Sequence, residues 1–143
     1  MTEKELESPF RLNRELDKLK GKLKDARNYA FTGGALFYRT PTNGNSSIDR
    51  TADTAIEIAQ IEEQIRVFEG ERLMCILHLW LEIEELKSCE ERQLLKLRHL
   101  DCLTFAEIAK IEGKTEGAAR QQYSRLMKRL EKEHFISNEN NAT

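Results

Sequence analysis

Apolar residues recurring at spacings of three and four through long, strongly charged stretches leave this chain little choice but helix. Leu12, Leu16, Leu19, Leu23, Ala26 and Ala30 fall on one face of a helix expected from about Phe10 to Ala30. Ser8 and Pro9 are its expected N-cap and first-turn pair. Ile58, Ile61, Ile65 and Phe68 repeat the spacing in a second helix that starts near Thr51 and reaches Lys87. Its apolar stripe then shifts to Ile76, Leu79, Trp80, Ile83 and Leu86. Two prolines and seven glycines in 143 residues, with 34% charged residues, disfavour a β-sandwich, a barrel or a Gly-rich nucleotide fold.

Between the two helices, residues 31–50 carry Gly33-Gly34, Pro41 and Asn43-Gly44-Asn45-Ser46-Ser47, all turn formers. A mobile loop is expected there, with Phe31, Phe37 and Tyr38 stapling it to the hairpin tip or offering a partner site. The flanking helices differ in charge. Seven cations stand against three anions from Arg11 to Arg27, and nine anions against two cations from Asp53 to Glu85. A basic and an acidic helix, each with an apolar stripe, should pair as an antiparallel, coiled-coil-like hairpin over residues 1–87. Leu73 to Leu81 is apolar on nearly every side, more than one partner helix covers. The C-terminal module or a second copy of the chain could supply the other surface. Met74 and Trp80 are expected in the core.

From Ser88 the local signals sharpen. Ser88-Cys-Glu-Glu91 and Thr104-Phe-Ala-Glu107 are two capping boxes, each opening a helix. Asp101-Cys102-Leu103 breaks the pattern between them. Gly113 stands where a helix end wants positive φ, and Thr115 can cap a last helix from Glu116 to about Glu133. A short helix, a turn containing Gly and a longer helix make a helix-turn-helix. Ala109 and Ala119 are small where the two helices would cross. Ala119, Tyr123, Leu126 and Leu130 form the inner face, and Gly117, Arg120, Gln121, Ser124 and Lys128 the outer one.

The stretch from Leu94 to Lys110, continued from Thr115 to Leu130, resembles region four of bacterial sigma factors, the module that reads the −35 promoter element. A charged hairpin, a variable loop and this module together resemble ArpU-like late-gene regulators of phages and prophages of Gram-positive bacteria. The resemblance implies binding of double-stranded promoter DNA and transcription control. Glu112 and Lys114 depart from it, standing where this turn usually carries apolar residues.

The residue chemistry agrees with DNA recognition. Arg can bond bidentately to guanine and Gln to adenine in the major groove, which suits Arg120 and Gln121. Six cations against two anions from Lys114 to Lys132 give a local balance of +4 in a chain whose formal net charge is −2. Gly117 permits close backbone approach near the helix N-terminus. The candidate DNA contacts are Thr115, Glu116, Gly117, Arg120, Gln121, Ser124, Arg125, Lys128 and Arg129. The domains expected are the hairpin over 1–87, the DNA-binding module over 88–133 and a tail over 134–143.

No catalytic constellation, cofactor loop or metal-ligand cluster is expected. Cys75 and His78 lie one turn apart, but two residues do not make a zinc site. His99 and His134 read as boundary residues. The three cysteines suit a reduced cytoplasm, and the apolar belt is too short to span a bilayer, so no membrane association is expected. The expected protein is all-α, non-enzymatic and cytoplasmic. It would self-associate through the hairpin, which could also meet RNA polymerase. A small-terminase-like packaging subunit and a module that binds polymerase or a sigma factor without DNA are the alternatives.

Overall fold

The computed structural model describes residues 1–37 and 44–137, with side chains described for 1–30 and 52–137. The regular elements among the described residues are all helical: α1 Glu3–Phe37, α2 Gly44–Glu84, α3 Cys89–Leu95, a π-helical turn Lys96–Leu100, α4 Phe105–Glu112 and α5 Glu116–Lys132. Two compact units share the long helices. One comprises Met1–Arg11 with Arg72–Thr143, the other Leu12–Glu71.

Helix α1 begins earlier than its apolar stripe suggests. Thr2 and Glu5 form a reciprocal cap: the Glu5 amide donates to Thr2 Oγ1 at 3.1 Å, and the Thr2 amide donates to Glu5 Oε2 at 3.0 Å. Ser8 and Pro9 are therefore inside the helix and not at its start. Ser8 Oγ donates back to the Lys4 carbonyl at 2.8 Å, as a mid-helix serine can. Helix also occupies 31–37 and 44–50, much of the stretch expected as a loop. The rest of that stretch, with Tyr38, lies outside the described residues, as do the side chains of Phe31 and Phe37.

Within the unit Leu12–Glu71, the stripe residues Leu12, Leu16, Leu19 and Ile61 are buried, together with Thr54. Two cross-helix ion pairs fix the direction of pairing. Lys20 meets Glu69 at 3.8 Å and Arg27 meets Glu62 at 2.9 Å. As the residue number rises on α1 it falls equally on α2, so the helices run antiparallel there.

The other unit is wider than residues 88–133. Its core joins Leu6 of α1, Leu79, Ile83 and Leu86 of α2, Leu94 and Leu95 of α3, Leu100, Ile108 of α4, Leu126 and Leu130 of α5, and Ile136. Phe135 packs against this cluster, so part of the tail folds back. The apolar belt divides accordingly. Leu79 is buried and Ile76 half-buried, whereas Met74 and Trp80, expected in the core, are exposed. At 100° per residue a nine-residue segment points in every direction, and the core covers only one side. No helix among the described residues is long and apolar enough to cross a membrane.

Candidate nucleic-acid interface

Each junction of the C-terminal module carries its own stop or start. Ser88 Oγ accepts the Glu91 amide and opens α3. The backbone then widens into a π turn, with the Asp101 amide donating to the Lys96 carbonyl at 3.0 Å. Cys102 ends it in the left-handed region at φ 53°. Thr104 and Glu107 form the expected capping box of α4. Gly113 closes α4 at φ 68°, and the Lys114 amide donates back to the Ala109 carbonyl at 2.9 Å. Thr115 Oγ1 then accepts the Ala118 amide at 3.2 Å and starts α5.

The crossing of α4 and α5 is close because its contacts are small. Ala109 and Ala119 are buried, as are Ile108 of α4 and Leu126 and Leu130 of α5. Tyr123, expected on the inner face, is half-buried, and Phe105 stacks edge-on to it at 5.3 Å between ring centroids. With α5 held by that face, its opposite face must point outward. All nine candidate contacts, Thr115, Glu116, Gly117, Arg120, Gln121, Ser124, Arg125, Lys128 and Arg129, are exposed. At about 100° per residue Glu116, Gly117, Arg120, Gln121, Ser124 and Lys128 fall within about 140° of one another, with Arg125 and Arg129 further round towards α3.

Their electrostatic states differ. Arg120 is held from two sides: within α5 its Nη2 donates to Glu116 Oε1 at 2.7 Å, and its guanidinium lies 5.3 Å from the Phe105 ring of α4. Arg129 turns the other way, onto Glu91 of α3, with Glu133 at 3.6 Å. The Glu91 carboxylate raises the Arg129 pKa and fixes its charge. Gln121 and Arg125 face a cleft of about 410 Å³ between α5 and the start of α3, where Glu90 and Glu91 form the facing wall. Glu112 and Lys114, the two departures in the turn, pair with each other at 3.1 Å, and Lys114 also donates to Gln122.

Beneath this surface lies a group that sequence reading missed. His99 is not at a boundary but buried. Its Nδ1 is 2.9 Å from the Leu6 carbonyl and its Nε2 is 2.8 Å from the Tyr123 hydroxyl. Burial holds its pKa down to about 4, so the ring is neutral at physiological pH. The neutral ring donates from Nδ1 to Leu6 and accepts the Tyr123 hydroxyl proton at Nε2. Burial also raises the Tyr123 pKa, which keeps that hydroxyl a donor. Arg98 is held beside it, 4.9 Å from the Phe10 ring and 4.4 Å from the Phe105 ring, with its Nη1 donating to the Leu103 carbonyl at 2.8 Å. The first turns of α1 thus brace the underside of α5. No local pattern around Arg98-His99 announces this. It depends on Leu6 and Phe10 arriving from more than 80 residues away.

His78 finds different neighbours from Cys75. Its Nε2 lies 3.2 Å from Glu82 and 3.6 Å from Glu5, an ion-pair group on the same unit when the ring is protonated.

Residues 83–130 match the family model for sigma-70 region 4, which makes roughly a third of the chain similar to that family. The matched segment begins and ends on fully buried core residues, Ile83 and Leu130, and spans every junction described above. No curated protein and no solved structure matches the chain. The C-terminal region holds a helix-turn-helix-type domain, and its similarity to sigma-70 region 4, a helix-turn-helix family that binds DNA, suggests a DNA-binding regulatory role.

Proposed function

We propose that this chain is a sequence-specific, promoter-binding transcription regulator of the ArpU-like phage or prophage kind, acting in the bacterial cytoplasm. The carrying observation is the exposed face of α5, set outward by the buried alanines and started by the Thr115 cap. Laid in the major groove, its N-terminal half brings Arg120 and Gln121 to base edges. Thr115, Gly117 and Ser124 lie beside the backbone, where amides and hydroxyls position without reading. Glu116 acts through Arg120, holding the guanidinium until a base competes for it. Arg125 and Lys128 are the phosphate contacts. Arg129 contributes only after exchanging Glu91 for a phosphate. RNA polymerase is a second partner consistent with the sigma-like surface.

Retention of a randomised duplex pool by the full chain over a salt series tests this. Binding should weaken steeply with salt, and Lys128→Ala should lower the log–log slope by about one while weakening all sequences alike. No retention at low salt, with polymerase captured instead, would favour the interaction-module reading. Ring-sized assemblies in light scattering would favour the packaging subunit.

A further inference from the structure

Five apolar side chains of α2 stay on the surface of the unit that carries the module: Leu73, Met74, Leu77, Trp80 and Leu81. At 100° per residue they fall within about 60° on either side of Leu77. Their order is the same read in either direction. A leucine stands four residues before and after Leu77, and a long side chain, Met74 or Trp80, stands three before and after. A two-fold axis perpendicular to the helix at Leu77 would bring each position against its mirror-numbered counterpart, an arrangement this order suits.

We propose that this face docks on a second copy of itself, the two α2 helices antiparallel with the dyad at Leu77. Leu73 then meets Leu81 of the second copy, and Met74 meets Trp80 of the second copy. Area supports that occupant. With 58%, 67%, 48%, 43% and 61% of their surfaces exposed in chain order, the five side chains present an apolar patch of roughly 600 Å². Two such patches bury about 1,200 Å², the lower limit for a specific interface. None of the five positions is charged, and His78, about 100° round the helix from Leu77, has Glu82 and Glu5 as its own partners, so closure strands no ion. Lys96 sits at its rim, 5.4 Å from the Trp80 ring, with its charge matched by Glu84. Joined to the DNA-binding reading, on which this consequence rests, the dyad would ask for inverted half-sites. The pairing itself does not depend on DNA.

Sedimentation of the full chain at tens of micromolar should show a dimer, and Leu77→Glu should shift it to monomer with unchanged helical circular dichroism. Crosslinking gives the direction. Leu77→Cys should form a disulfide dimer by itself. Leu73→Cys and Leu81→Cys should crosslink when mixed and not singly, with the parental chain as blank. A monomeric wild type, or self-crosslinking of Leu73→Cys, overturns the antiparallel pairing. A dimer that binds no duplex leaves the pairing standing and overturns the DNA-binding reading alone.

Discussion

The unit Leu12–Glu71 and the unit carrying the helix-turn-helix are both helical, yet they are specified differently. In the first, a repeat does the work. Leu12, Leu16 and Leu19 cover one another's stripe with Ile61, and the two cross-helix ion pairs join side chains that are each about half exposed. Such pairs set register more than they stabilise. In the second, no element repeats another. Ser88, Thr104 and Thr115 cap three of its helix starts, Cys102 and Gly113 are left-handed where helices end, and the core draws on all the helices. A repeated stripe tolerates sliding. A set of unrelated junctions does not, and a surface that must place side chains against base edges belongs on the latter kind of scaffold.

Substitutions should expose this contrast. The largest effect is expected in the module core. Leu130 is fully buried, so Leu130→Ala should cost about 2–5 kcal/mol in denaturant unfolding followed by circular dichroism. A loss no larger than that of an exposed substitution would mean α5 is not seated as described.

Acid should act next. An unfolded histidine takes its proton near pH 6.5, whereas His99 in the fold resists until about pH 4. Above the unfolded value both states are neutral and this group adds no pH dependence. As pH falls from about 6.5 to 4, only the unfolded state gains the proton, and the fold loses roughly 3 kcal/mol. His99→Gln should flatten that part of the stability profile even though it weakens the fold at neutral pH. An unchanged slope would place the proton uptake elsewhere.

Junction residues come third. Gly113→Ala forces a side chain into φ 68° and should cost about 1 kcal/mol by thermal unfolding. Thr104→Ala removes one side of a capping box and should cost about as much. In the hairpin unit, Glu62→Ala breaks the Arg27 pair and should cost under about 1 kcal/mol, vanishing in high salt. A larger, salt-resistant loss would show that charge, not the leucine stripe, holds that unit.

The caps at Thr104, Gly113 and Thr115 were legible because each is a local chemical instruction readable within four residues. So was the inner face of α5, whose periodicity is that of a single helix. Two kinds of feature were not. The start of α1 was hidden because the Thr2–Glu5 cap precedes the first strong leucine, and Ser8-Pro9 offers a familiar but unused alternative. The Leu6–His99–Tyr123 network and the Arg98 sandwich were hidden because they join residues far apart in sequence. The division of the Leu73–Leu81 belt was half legible: its excess of apolar faces was plain, but which face the chain itself covers depends on where the core lies.

The reading of α5 as a base-contacting helix is tested most directly by competition gel shift of the full chain against selected and randomised duplexes, with Arg120→Ala and Gln121→Ala alongside. Each substitution should cost about 1–3 kcal/mol on the selected sequence and relax preference at the base it contacts. Sequence preference unchanged in both variants would show that this face does not read bases.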